Sequence, residues 1–177
     1  MIGVLASGEG TNLQALLDDG LAVAAVASNV AGARALARAE RAGVPAEAFP
    51  LAGYSDRVER DAAMASWLAA RGVDLVVCVG YMHLLTEAFL ERFPQRIVNV
   101  HPSLLPRFPG ARAIEAALEA GVETTGVSVH VVDAGLDTGP VLRQEAVPVE
   151  PRETLLERIH AVEHRLLPEV VRELCVR

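Results

Sequence analysis

The sequence predicts one α/β domain built on a mostly parallel sheet, with helices on both faces and the later strands partly antiparallel. Three observations lead there. Short apolar runs alternate with helix-patterned segments through the first half, as in parallel strands joined by right-handed crossovers. The run Asp74–Val79 is almost wholly apolar between Gly72 and Gly80, which suits a strand covered on both faces. The later strands are joined by short links, which antiparallel neighbours allow. A length of 177 residues suits one domain, and 51% hydrophobic residues are ample for a core and exclude disorder.

The elements follow in order. Ile2–Ala6 is an apolar strand ending in the turn Ser7-Gly8-Glu9-Gly10. Thr11 caps a helix to about Asp19 with Leu13, Leu16 and Leu17 on one face. Ala22–Ser28 is a second strand, and Arg34–Arg41 a helix closed by Gly43 and Pro45. Asp56–Arg71 is a helix whose expected buried stripe is Val58, Ala62, Ala65 and Leu68. The strand Asp74–Val79, a short helix Thr86–Arg92 and the strand Ile97–Val100 come next. Ser103–Gly110, rich in Pro and Gly, is a loop, and Ala111–Ala120 a helix stopped by Gly121. Gly126–Val132 alternates Val127, Val129 and Val131 with Ser128 and His130, and reads as a half-exposed strand. Asp133–Gly139 is a loop, Val141–Val147 a strand, and Thr154–Leu174 a long helix with Leu155, Ile159, Val162, Leu166 and Val170 in register.

Composition narrows the chemistry. Every one of the 16 basic residues is Arg, so Schiff-base, pyridoxal-phosphate and P-loop lysines are excluded. A net charge of −7 argues against a nucleic-acid groove. Cys78, inside an apolar strand, reads as a buried hydrophobe; neither it nor Cys175 belongs to a Cys-x-x-Cys pair, which speaks against thiolate zinc or redox chemistry. No run of 18 apolar residues and no secretory leader is visible, so a cytoplasmic protein without a membrane span is expected.

Three segments carry candidate chemistry. Ser7–Asn12 directly follows a strand and opens a helix, where free N–H groups and the helix dipole favour an anion; an ordinary capped turn fits the loop equally well. It is neither the three-glycine dinucleotide pattern nor a Walker loop. Asn99 and His101, two apart at a strand end, project to one side at the carboxyl edge where open α/β sheets bind ligands, and Pro102 holds His101 extended. An amide and a titratable imidazole there favour function over a polar strand end. Asp133-Ala134-Gly135-Leu136-Asp137-Thr138-Gly139-Pro140 can aim a carboxylate at that histidine, although composition alone reads as a surface turn. His130 faces either the same cleft or solvent. His160 and His164 have metal-ligand spacing but no third ligand, so no metal is expected. Ser103 lacks a nucleophile elbow.

Taken in order, Ser7–Asn12, Gly80-Tyr81-Met82, Asn99–Pro106, Gly126–His130, Leu136–Pro140 and Glu163-His164 resemble the phosphoribosylglycinamide formyltransferase family across almost the whole chain. The resemblance implies a single Rossmann-like formyltransferase domain over residues 1–177. It implies formyl transfer from 10-formyltetrahydrofolate, as co-substrate, to the amine of glycinamide ribonucleotide, with small-molecule partners, no nucleic acid, no membrane, and either a monomer or a homodimer. By resemblance, Asn99, His101 and Asp137 are catalytic. Gly10, Thr11 and Asn12 take the ribonucleotide phosphate, with Arg107 a candidate cation near it, while Glu163 and His160 lie at the amine. The folate lies against Met82, His83, Leu84 and Leu85, with Arg57, Asn99 and Asp133, Ala134, Gly135, Leu136 and Asp137.

Two departures stand out: His83 where the family often has a basic residue, and Pro109–Ile114 without a histidine that relatives often carry. The C-terminus is short beside many relatives. Methionyl-tRNA formyltransferases and formyltetrahydrofolate hydrolases are similar but usually carry a further C-terminal or N-terminal domain, which is not expected here, and the acidic balance argues against tRNA. A catalytically silent nucleotide-binding module is disfavoured by the intact Asn99, His101 and Asp137.

Overall fold

Seven strands form one sheet in the computed structural model, which describes residues 1–176. β1 (Ile2–Leu5) pairs in parallel with β2 (Val23–Ser28) on one side and β4 (Leu75–Cys78) on the other. β3 (Ala46–Ala48) lies parallel outside β2, and β5 (Ile97–His101) parallel outside β4. β6 (Thr124–Val131) and β7 (Val141–Pro148) continue antiparallel, completing the order β3-β2-β1-β4-β5-β6-β7.

Strand pleating divides the core. Val4, Val26 and Val77 point to a layer holding Leu13 and Leu16 of α1 (Thr11–Asp18), Leu36 of α2 (Arg34–Arg41), and Ile159, Leu167 and Val171 of α6 (Leu155–Cys175). Leu5, Ala27 and Val76 point the other way, onto Met64 and Leu68 of α3 (Arg57–Ala69) and Phe89 of α4 (Glu87–Leu90). α5 (Ala113–Glu119) joins β5 to β6. Among the described residues, no helix is long and apolar enough to cross a membrane.

Three readings of the sequence need correction, and one strand escaped it. β3 has no apolar run to announce it; Ala46–Ala48 is a strand because β2 offers it an unpaired edge. Thr11 begins α1 rather than capping it: the cap is Gly10, at φ 71°, with no side-chain bond. In α3, Val58 is 53% exposed, and the buried face holds Arg60 and Asp61 with Met64, Ala65 and Leu68. The charged pair lies inside because each neutralises the other. Finally, β6 is buried on both faces from Thr125 to His130, since the segment after β5 covers the face expected to meet solvent.

The strand order reverses direction of growth between β1 and β4. Loops leaving the carboxyl ends of these two strands diverge there and open a crevice.

Candidate active site

A cleft of about 420 Å³ occupies that crevice. One wall is the loop after β1. Its backbone is held from α2: Ala35 N–H donates to Gly8 C=O at 3.1 Å and Arg38 Nε to Glu9 C=O at 2.7 Å. Gly10 is required there twice over, because its φ is left-handed and a Cβ would lie 2.8 Å from Ala35 Cα. Asn12, in the first turn of α1, donates from Nδ2 to Glu163 Oε2 at 2.9 Å, tying this loop to α6. Asn12 Oδ1 is buried without a hydrogen-bond partner among the described residues. Burial raises the Glu163 carboxyl above its ordinary pKa, opposed by the Asn12 bond and by the charge of His160.

The opposite wall follows β5. His101 is 5% exposed, and its Nε2–H donates to the Phe108 carbonyl at 2.8 Å. Its Nδ1 therefore faces Asp137 Oδ2, at 3.5 Å, and donates only when the ring is an imidazolium. Gly110 N–H donates to the same Asp137 oxygen at 2.7 Å. His130, paired with Asn99 across β6 and β5, gives its Nδ1–H to the Val131 carbonyl at 2.9 Å. Its Nε2 lies 3.2 Å from Asn99 Nδ2 and 3.5 Å from Asp137 Oδ1. A neutral ring accepts from Asn99; a charged ring donates to Asp137. Asp137 is lowered below the usual carboxylate pKa by hydrogen bonding from His130, with burial opposing and the Gly110 N–H and His101 charge adding. Phe108 and Asp137 are non-glycine residues with left-handed backbones, φ 54° and 53°, and both serve His101 directly.

The structure brings most of the expected residues to this cleft. Gly10, Thr11 and Asn12 line one side, and Met82, His83, Leu84 and Leu85 another. Asn99, His101, Asp133, Gly135, Leu136 and Asp137 face them, with His160 and Glu163 from α6. Three expected residues are not in the lining. Ala134 is exposed, Arg57 sits outside with Nη2 on the Leu84 carbonyl, and Arg107 lies over the Phe108 ring. His160 and His164 stack with ring centroids 6.0 Å apart. Among the described residues, no group of three or more His, Cys, Asp or Glu is placed to hold a metal ion.

Sequence reasoning left His130 undecided and missed Ser128 and Gln144. Ser128 is fully buried; its Oγ donates to Ser103 C=O at 2.6 Å and accepts from Leu105 N–H at 3.1 Å. Gln144 Nε2 donates to Ser128 Oγ and to Leu105 C=O, each at 2.8 Å. The signal available was the period-two alternation that puts Ser128 and His130 on one face of β6; what was missing was β5 beside it.

The family model described as formyl transferase matches residues 1–171. A phosphoribosylglycinamide formyltransferase of Mycobacterium tuberculosis is 45% identical over 177 residues, covering 95% of this chain and 81% of the relative. The crystal structure of glycinamide ribonucleotide transformylase 1 from Symbiobacterium toebii superposes with a TM-score of 0.94 at 51% identity, covering 97% of this chain and 85% of that one. The trifunctional purine biosynthetic protein adenosine-3 of Gallus gallus is 42% identical over 176 residues, 94% of this chain, but this chain spans only 18% of its length.

Proposed function

This chain belongs to the formyl transferase family, and we propose that it transfers the formyl group of 10-formyltetrahydrofolate to the amine of glycinamide ribonucleotide in purine biosynthesis. One observation carries the reading: an anion-suited loop and the cluster Asn99, His101 and Asp137 face each other across a single cleft. In this reading Gly10, Thr11 and Asn12 take the ribonucleotide phosphate on the N-terminal N–H groups of α1. Glu163, with His160 beside it, meets the substrate amine. The folate lies against Met82, His83, Leu84, Leu85 and the Asp133–Asp137 loop. Met82, Leu84 and Leu136 are about half exposed and offer apolar surface to its ring. Arg57 lies at the rim.

The neutral amine attacks the formyl carbon. As that C–N bond forms, charge moves to the formyl oxygen of a tetrahedral intermediate. Asn99 Nδ2–H donates to this oxygen and the positive charge of protonated His101 stabilises it, the kind of preorganised stabilisation whose loss costs about a hundredfold or more in rate. Asp137 orients the imidazolium. It also helps pass the proton of the attacking nitrogen, through water, to the folate nitrogen as the second C–N bond breaks. Tetrahydrofolate and the formylated ribonucleotide leave. The imidazolium supplies the positive charge, so the reading calls for no metal, and holding both substrates together lowers the remaining barrier.

The test is absorbance-monitored formyl transfer with and without glycinamide ribonucleotide, each with and without a chelator. The expected result is turnover that requires the ribonucleotide and survives the chelator. Deformylation without it makes water the acceptor and overturns the assignment of the amine. No turnover in any tube, from folded protein, overturns the reading altogether.

A further inference from the structure

Arg60 and Asp61 are both fully buried, on consecutive positions of α3. Asp61 Oδ1 accepts from Arg60 Nε at 3.0 Å and from Nη2 at 2.6 Å. A buried ion pair is a weak source of stability, because desolvating two charges offsets most of their attraction. The bonds this pair sends outward are therefore the informative ones. Both go to the 82–86 segment: Asp61 Oδ2 accepts from Thr86 N–H at 2.8 Å, and Arg60 Nη1 lies 2.8 Å from His83 Nδ1. A guanidinium has only donors, so His83 Nδ1 must be the ring's lone-pair nitrogen, and a neutral ring then carries its hydrogen on Nε2, which faces the Asn29 side-chain amide at 3.5 Å and requires that amide to present its oxygen there. Burial, Arg60 and Arg57 all push His83 toward the neutral form.

We propose that the Arg60–Asp61 pair is a positioning device. It locks His83 as the neutral Nε2–H tautomer and sets the Met82–Leu85 backbone for the formyl-folate, without touching either substrate. The pair grips the segment at both ends, at His83 and at Thr86, while Arg57 of the same helix holds Leu84 C=O between them. At His83 the positive charge is supplied from α3, by Arg60. The inference rests on the folate reading of this segment.

Two measurements on the full chain test it. The first is long-range proton–nitrogen NMR of the wild type, which distinguishes histidine tautomers without any turnover. His83 is expected in the Nε2–H form, with the Thr86 amide protected from hydrogen exchange. An Nδ1–H ring overturns the proposal. The second compares the wild type with Arg60→Met/Asp61→Leu, which removes both charges at similar volume and is expected to fold with little change in Tm. The KM for formyl-folate should rise about tenfold, the KM for the ribonucleotide should stay within about twofold, and the Thr86 amide should exchange faster. An unchanged formyl-folate KM overturns the proposal, and so does an equal rise in both KM values, which marks a merely structural pair. If the double variant does not fold, the His83 tautomer and the Thr86 exchange of the wild type decide the proposal. A wild type without formyl transfer sinks the functional reading alone, and the tautomer and the Thr86 exchange then decide whether the pair sets this segment.

Discussion

Ser128→Ala tests whether the His101 wall of the cleft is held from beneath. The side chain is fully buried, and its Oγ joins Ser103 C=O, Leu105 N–H and Gln144 Nε2 at 2.6, 3.1 and 2.8 Å. Alanine removes one small atom, so the cavity contribution is minor. The larger effect is that the Ser103 carbonyl and the Leu105 N–H lose that partner in a dry site, while Gln144 keeps its bond to Leu105 C=O. Each buried group left unsatisfied costs about 1–3 kcal/mol, so two give about 3 kcal/mol after modest relaxation. For a domain of this size that lowers Tm by about 6–12 °C. Activity should fall more than stability implies. The same segment runs on to Phe108, whose carbonyl anchors His101 Nε2, and a misplacement of about 1 Å costs on the order of a hundredfold in rate. Thermal unfolding by circular dichroism, with kcat and both KM values, measures the two effects. A Tm within about 2 °C of wild type together with an unchanged kcat refutes the reasoning, because the wall would then keep its shape without the hydroxyl.

Replacing His101 by Ala should remove nearly all turnover and leave the circular dichroism spectrum intact; turnover at the wild-type level takes His101 out of the mechanism. Gly10→Ala places a Cβ 2.8 Å from Ala35 Cα at a left-handed φ of 71°, so the ribonucleotide KM should rise while that of formyl-folate holds, and equal changes count against the phosphate loop. Glu163→Gln tests the sign of a raised carboxyl. The folded state holds that proton more tightly than the unfolded one, so the group's stabilisation is full below the unfolded pKa and lost as pH rises through the folded one. Glutamine mimics the protonated acid, so the variant should gain Tm over wild type at pH 7 and lose that gain near pH ~4; a gain at low pH as large as that at pH 7 contradicts the assignment.

What the sequence disclosed, and what it hid, follows from how far each feature depends on distant residues. β1 and β4 were legible because burial on both faces writes a continuous apolar run. Asn99 and His101 were legible because their spacing on a strand end fixes a shared direction whatever lies nearby. α3 was placed in the right span with Ala65 and Leu68 rightly inward, but its first turns were misjudged, because hydropathy weighs Arg60 and Asp61 singly and cannot see that they pair. β6 read as half exposed because its cover, Ser103 to Leu105, is more than twenty residues earlier in the chain. The loop alone reads equally well as phosphate-binding or as a plain turn, because its facing β5 and α6 across the cleft depends on distant elements that its own residues do not encode.

The Asp133–Gly139 loop shows why composition could not separate its two carboxylates. The loop leaves β6 beside Ile97, where Val132 N–H donates to the Ile97 carbonyl, and must curl back to reach His101. Three devices make that turn. Gly139 passes so close to Val131 that a Cβ would lie 1.9 Å from its carbonyl oxygen. Asp133 Oδ1 accepts from Gly135 N–H at 3.0 Å and from Thr138 Oγ1 at 2.7 Å, bracing the loop across its width. Asp137 takes a left-handed backbone, which turns its carboxylate inward onto Gly110 N–H and His101. The two acids thus divide the work. The Oδ1 of Asp133 is spent on the loop's own shape, whereas both oxygens of Asp137 face histidines of the cleft. An aspartate braced by its own turn and one aimed at an imidazole look alike in a sequence of Asp, Gly and Thr; the path of the chain from Val132 back to His101 makes them different.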